Sequence, residues 1–144
     1  VARQPGIPIA ISDIVADGIA AVEAGAAIVH LHVYDLETGR QRDDWELYAK
    51  AIEGIRAKVD AIVYPTIPIV GSGYAGDIIG SGRYTHLEEL ARRGLVEWGV
   101  LDPGSCNWTT FDGIPAGEPG FIYQNPGEHI REGMAVAQAH RIHP

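Results

Sequence analysis

The chain has 144 residues, 46% of them hydrophobic, which is enough for one domain with an apolar core. Its formal net charge of −8 repels nucleic acid and anionic membranes, so we expect neither partner. No apolar run is long enough to cross a bilayer. The single cysteine cannot form an internal disulfide, which favours a reducing, cytoplasmic location.

The first predicted helix carries Ile11, Val15 and Ile19 on one face, with Ser12 as its N-cap and Gly25 at its end. A strand with an unbroken apolar start follows, as expected for a strand covered on both faces. A second helix is predicted by apolar residues at spacings of three and four.

Asp43 or Asp44 can cap this second helix, whose apolar residues are Trp45, Tyr48, Ile52, Ile55 and Val59. The helix leads into a second strand at 60–66, which a proline ends. Five glycines in the next segment predict a long loop over 67–82.

A capping box of Thr85 and Glu88 begins the third predicted helix. A third strand is predicted at 96–102, and a segment rich in glycine and proline extends from there to residue 120. Asn125 is the predicted cap of a last helix, with a proline in the first helical position.

Successive predicted strands begin about 35 residues apart, which is typical of βα units in a parallel sheet. The sheet is either an open, doubly wound one or part of a (β/α)₈ TIM barrel. Long glycine-rich segments follow the strands, as the loops on the active face of a barrel do, which favours the barrel. A complete barrel has about 250 residues. We therefore expect residues 1–144 to form a single partial barrel domain, helix 1 through helix 4, without the first strand and the C-terminal half.

Two histidines in the first predicted strand are candidate metal ligands. His30 and His32 point to the same side of the strand, about 6 to 7 Å apart, and both can reach one divalent ion. Neutral imidazole suits zinc, and also nickel, copper or iron. The motif is short, however, and strand-ending histidines bonded to backbone or water are the commoner case.

Four ordered motifs add a family resemblance: EAGAAIVHLHVYDLETGR, DAIVYPT, GVLDPGSCNW and YQNPGEHIREGMAVA. Over almost its whole length the chain resembles the β-keto acid cleavage enzymes, the family that includes the 3-keto-5-aminohexanoate cleavage enzyme. The resemblance implies a zinc-dependent (β/α)₈ barrel, usually a homo-oligomer. It also implies condensation of a β-keto acid with acetyl-CoA, giving acetoacetate and a new CoA thioester.

For individual residues, the resemblance implies that His30 and His32 bind zinc or another divalent metal. Substrate-binding roles are implied for Thr66, Asp102, Ser105 and Asn107, although ordinary turn chemistry explains the last three equally well. The family's remaining metal ligand and its catalytic base come from later segments, so we expect the 144 residues alone to be nearly inactive.

Four positions depart from the family pattern. Tyr34 stands where much of the family has an arginine, Ile67 and Pro68 replace glycines, and Val100 replaces a hydroxyl residue. The first change removes a positive charge, and the glycine replacements hinder close approach of the backbone to an anion. These departures leave the choice of β-keto acid open.

Two other functions are compatible with the histidine pair. Amidohydrolase-like hydrolases also carry an H-x-H pair, but on the first strand, whereas a capped helix precedes the pair here. The chain could also be a non-catalytic, truncated barrel module that self-associates through open sheet edges. We expect His86 and His129 at the surface, and Cys106 as a small buried side chain rather than a nucleophile.

Overall fold

The computed structural model describes residues 6–69, 71–72, 82–118 and 120–144, and most of the predicted long loop lies outside these ranges. The helices are α1 Ile11–Glu23, α2 Trp45–Arg56, α3 Thr85–Arg92, α4 Gly113–Ala116 and α5 Gly127–His140. The strands are β1 Ile28–Leu31, β2 Val33–Tyr34, β3 Gln41–Arg42, β4 Ile62–Pro65, β5 Gly71–Ser72, β6 Cys106–Trp108 and β7 Phe121–Tyr123. Within the described ranges, no helix has the length and apolar character needed to cross a membrane.

Strands β1 and β4 form a parallel pair that α1 and α2 cover. The pairing runs from Ile28 opposite Ile62 to Leu31 opposite Pro65. Helix α2 lies between the two strands in sequence and packs on α1 and β4, with its Ile52 side chain fully buried. The α/β class predicted from the sequence is confirmed by this strand, helix, strand unit.

Helices α1 and α2 approach closely at two glycines. A β-carbon on Gly18 of α1 would lie 2.5 Å from Cδ1 of Ile55 in α2. In the opposite direction, a β-carbon on Gly54 of α2 would lie 2.8 Å from Cγ2 of Val15 in α1. Each helix therefore receives a branched side chain of the other in the space that a glycine leaves.

The start of α2 follows the sequence prediction. Asp44 is the N-cap, and its carboxylate accepts hydrogen bonds from the backbone N–H groups of Glu46 and Leu47. Asp43, the alternative cap, accepts a hydrogen bond from the Gln41 side chain instead.

Three other predicted caps are wrong. Ser12 lies inside the first turn of α1, where its hydroxyl donates to a neighbouring aspartate. Thr85 is already helical and donates to the Gly82 carbonyl, so it forms no capping box with Glu88. Asn125 precedes the N-cap of α5, and its side chain bonds to distant segments instead.

The third predicted strand, at 96–102, forms no ladder among the described residues. It makes one parallel bridge, between Trp98 and His143. The Gly99 N–H donates to the His143 carbonyl at 3.0 Å, and the His143 N–H donates to the Glu97 carbonyl at 2.8 Å. Among the described residues only His143 pairs with this segment, so the pairing is a single bridge and not a ladder.

A small antiparallel sheet includes two strands, β5 and β6, in segments for which the sequence predicts loops, and a third strand, β7, just after the second of these segments. Strand β7 pairs with β5 on one side and β6 on the other, with Trp108 opposite Phe121 and Cys106 opposite Tyr123. Aromatic cross-strand pairs of this kind stabilise short strands. The prediction that Cys106 is buried is wrong, because its side chain lies on the exposed strand β6.

Candidate functional site

The histidine pair lies at the end of β1. His30 belongs to the strand, and His32 follows its last residue, Leu31. The two imidazole centroids are 5.2 Å apart with ring planes at 89°. The His30 ring also packs against Tyr64, its partner in β4, at 5.1 Å.

The surroundings of His30 favour the neutral form of its imidazole. Partial burial is the main cause that lowers the pKa of His30, and the neighbouring His32 adds to it, while Asp102 acts in the opposite direction. A neutral imidazole keeps the lone pair that binds a metal.

The β2–β3 hairpin lies beside His32 and contacts its ring. His32 Nδ1 lies 2.8 Å from Gln41 Oε1, and the ring of Tyr34 stacks on the His32 ring at a 15° interplanar angle. Tyr34 and Gln41 are opposite each other in the β2–β3 pair. Gln41 was not predicted from the sequence; the only available signal was the Thr-Gly turn that brings residue 41 back toward the strand.

A cavity of about 190 Å³ brings three of the predicted site residues together. His32, Thr66 and Asp102 line it. The other lining residues are apolar or aromatic: Ile67, Ile69, Trp108, Phe121 and Tyr123. Binding sites are often mostly apolar with a few convergent polar groups, and this cavity has that character.

Ser105 and Asn107 do not line this cavity. The Ser105 hydroxyl accepts a hydrogen bond from the Asn125 backbone N–H at 2.8 Å. Asn107 is exposed in β6 and pairs with Ile122. These contacts are those of turn and sheet residues, and their predicted substrate-binding roles stay predictions.

Asp102 is connected to a buried arginine through a tyrosine. The Tyr123 hydroxyl donates to Asp102 Oδ2, and Arg83 Nη2 donates to the Tyr123 oxygen at 2.9 Å. Burial, followed by the bond to Asp102, raises the pKa of Tyr123 to about 12. The hydroxyl therefore keeps its proton at neutral pH and can hold the carboxylate in place.

The departures from the family pattern have structural roles. Tyr34 stacks on His32, and Ile67 is buried at the cavity wall. The Pro68 carbonyl accepts a hydrogen bond from Arg83 Nε at 3.0 Å. Val100 packs, partly buried, against the hydrophobic core.

The donor atoms fit a metal only in part. In the portion of the chain that the structure describes, no group of three or more His, Cys, Asp or Glu side chains could hold a metal ion. His30 and His32 can supply two imidazole nitrogens, so further ligands would have to come from water, from substrate or from other residues.

The fold and the site define an α/β protein with two adjacent imidazoles at the end of a parallel strand pair. A sequence model for the beta-keto acid cleavage enzyme matches residues 1–144, and the chain belongs to that family. Membership also decides between the two enzyme families that the H-x-H pair left open.

The chain is similar to three curated proteins of related activity. It is 43% identical over 146 residues to a 3-oxoadipate:acetyl-CoA acetyltransferase of Cupriavidus necator, with 98% of this chain and 42% of that protein covered. It is 34% identical over 142 residues to a 3-dehydrocarnitine:acetyl-CoA trimethylamine transferase of Rhizobium meliloti, with coverage of 85% and 44%. It is 35% identical over 108 residues to a 3-keto-5-aminohexanoate cleavage enzyme of Fusobacterium nucleatum, with coverage of 74% and 35%. The chain thus spans less than half the length of these relatives.

Proposed function

We propose that the complete protein condenses a β-keto acid with acetyl-CoA, giving acetoacetate and the CoA thioester of the remaining acyl group. Family membership and the names of three relatives support this reaction. We further propose that residues 1–144 are part of a (β/α)₈ barrel, which the parallel β1–β4 pair and the parallel bridge at Trp98 support. Assembly as a homo-oligomer in the cytoplasm belongs to the same proposal.

The observation that carries the proposal is that His32, Thr66 and Asp102 line one cavity and that the His30 ring lies beside the His32 ring. His30 and His32 would hold a divalent metal, zinc being the ion that imidazole suits well. When bound, such an ion polarises a carbonyl oxygen as a Lewis acid.

The other residues of the cavity would bind and orient the substrate. The Thr66 hydroxyl and the Asp102 carboxylate can hydrogen-bond to it, while Tyr123 keeps the carboxylate oriented. Ile67 and the aromatic side chains would give the bound substrate mostly apolar surroundings.

The test is a product assay with the complete protein. It would be incubated with acetyl-CoA and, in turn, 3-oxoadipate, 3-keto-5-aminohexanoate and 3-dehydrocarnitine, and acetoacetate and new CoA thioesters would be measured by mass spectrometry. We expect at least one pair of products, and loss of both when His30 and His32 are replaced by alanine. His143→Ala is the matched control, because His143 lies at the Trp98 bridge. Acetoacetate formation that survives the double replacement would contradict the roles of the pair.

A further inference from the structure

We propose that Gln41 is a positioning residue that fixes the tautomer of His32 and leaves Nε2 of that ring free as the ligand atom. The metal-binding consequence rests on the proposed function, whereas the tautomer itself does not. Three groups of contacts around the β2–β3 hairpin carry the inference, and the position of Tyr34 adds to them.

The first contact fixes which way the Gln41 amide points. Its Nε2 donates to Asp43 Oδ1 at 3.2 Å. A carboxylate only accepts hydrogen bonds, so the amide nitrogen must face Asp43. The amide oxygen then faces His32, and the two ends of the amide are not interchangeable here.

The second contact fixes the proton on the imidazole. Gln41 Oε1 lies 2.8 Å from His32 Nδ1 and can only accept, so Nδ1 must donate. A neutral imidazole carries one N–H, and with that proton on Nδ1 the lone pair is on Nε2. Metal-binding histidines are oriented in this way by an acceptor on the other ring nitrogen.

The third set of contacts holds Gln41 in place. The turn between β2 and β3 is closed by Asp35, whose carboxylate accepts from the Thr38 N–H at 2.8 Å and from the Thr38 hydroxyl. Arg42, next to Gln41, bridges Asp35 at 3.3 Å and Asp44 at 3.7 Å. The hairpin is therefore tied both to its own turn and to the start of α2.

Tyr34 completes the arrangement from the other strand. It lies opposite Gln41 in the ladder, and its ring is nearly parallel to the His32 ring, with the two centroids 6.5 Å apart. A flip of the His32 ring would place a carbon where Nδ1 is and would leave the Gln41 amide oxygen without this donor.

The first measurement is a long-range ¹H–¹⁵N NMR spectrum of the histidine side chains, recorded without metal at about pH 8.5, where an ordinary imidazole is neutral. In the wild-type protein we expect the Nδ1–H tautomer at His32. The Nε2–H tautomer at His32 in the folded wild-type protein would overturn the proposal without any variant.

Two variants and one control sharpen the test. Gln41→Leu removes the acceptor, so we expect the Nε2–H tautomer at His32 and about 10- to 100-fold weaker zinc binding by calorimetry. Gln41→Glu keeps an acceptor at the same position and should retain the Nδ1–H tautomer. Arg42→Gln removes only the exposed ion pairs of the same hairpin, while the β2–β3 ladder and the Asp35–Thr38 bonds still hold Gln41, so the tautomer should be unchanged.

The outcomes separate this inference from the proposed function. If Gln41→Leu changes the tautomer while the wild-type protein binds no zinc, the positioning role is supported and the metal in the proposed function is contradicted. If Gln41→Leu leaves the tautomer unchanged, or Arg42→Gln changes it equally, the role assigned to Gln41 is wrong.

Discussion

Two regions of the described chain are held together by different interactions. In the apolar layer, formed by α1, α2, β1 and β4, the side chains of Ile52, Ile55 and Val63 are fully buried against one another. In the polar hub, formed by Arg83, Tyr123 and Asn125 with their hydrogen-bond partners, a fully buried guanidinium occupies the centre. One region depends on shape and the other on hydrogen bonds.

The difference determines which changes each region tolerates. Apolar contacts are non-directional, so a core accepts side chains of similar volume with small losses. A buried hydrogen bond is directional, and removing its donor leaves acceptors without partners in a place that water does not reach. The most damaging substitution should therefore be one that removes a buried hydrogen-bond donor from the polar hub.

Arg83→Met should have the largest effect. It removes the donor to the Tyr123 hydroxyl, the Asn125 side chain and the Pro68 carbonyl together. We expect a loss of about 3 to 5 kcal/mol in the free energy of unfolding, measured by urea denaturation. Arg83→Lys is the control for charge alone, and it should recover only part of the loss because lysine lacks the planar fork. A loss below that of an average surface mutation would show that the hub is not a structural centre.

Ile55→Ala should come next. Ile55 is fully buried in the apolar layer, and the cavity left by this truncation should cost about 2 to 5 kcal/mol. Ile55→Val removes a single methylene and should cost about 0.5 to 1.5 kcal/mol. The same urea titration measures both, and equal losses for the two variants would contradict a shape-dependent layer.

The buried His86 should make stability depend on pH. The sequence prediction that it is at the surface is wrong: the side chain is buried, with Nε2 at 2.7 Å from the Thr66 carbonyl and the ring against Tyr48. Burial lowers its pKa, partly opposed by the bond to Thr66 and by Asp43.

The sign of the pH effect follows from this lowered pKa. The unfolded chain binds a proton at His86 near pH 6.5, before the folded chain does, so stability falls as pH drops below that value. The slope for one group is at most about 1.4 kcal/mol per pH unit. We expect His86→Gln, which keeps a donor but does not titrate, to lose stability less steeply between pH 7 and pH 5. Parallel curves for the wild-type protein and the variant would contradict this assignment.

Arg93→Gln should have the smallest effect. The Arg93 guanidinium lies 3.7 Å from the centroid of the Trp45 ring and pairs with Glu89 on an exposed face. Exposed cation–π and ion pairs each contribute at most about 1 kcal/mol, and salt screens the ion pair. We expect a loss of about 1 kcal/mol that shrinks in high salt, and a loss as large as that of Ile55→Ala would contradict the ranking.

The apolar layer was largely predictable from the sequence, because periodicity records which side chains are buried. The spacing that placed Tyr48, Ile52 and Ile55 on one face of α2 corresponds to the buried residues of that helix. The Asp44 cap was predictable for a related reason, since its two hydrogen bonds are made to residues two and three positions later.

The polar hub was not predictable, because its contacts join residues that are far apart in sequence. Arg83 bonds to residues 15 to 42 positions away. No local pattern distinguishes it from the exposed arginines, and Asn125 resembled a helix cap although its side chain faces the hub. The prediction that His129 lies at the surface is also wrong, because its side chain is buried.

The candidate site also contains residues that local sequence patterns predict and residues that they do not. The H-x-H spacing was visible in the strand, and its two rings do lie side by side. Thr66 and Asp102 line the same cavity, and their place in the site was expected from the family resemblance, not from local sequence patterns. Gln41 depends on the register of a two-residue ladder, which the sequence does not state.

The two glycines between α1 and α2 also make their neighbours interdependent during sequence change. Val15 is β-branched and has essentially one rotamer in a helix, so it cannot make room for a larger residue at position 54. A larger residue at 18 would meet Cδ1 of the fully buried Ile55, so that side chain must shift or become smaller. The two interlocked pairs should therefore change in step, and Val15 must be replaced by a smaller residue before a larger one fits at position 54.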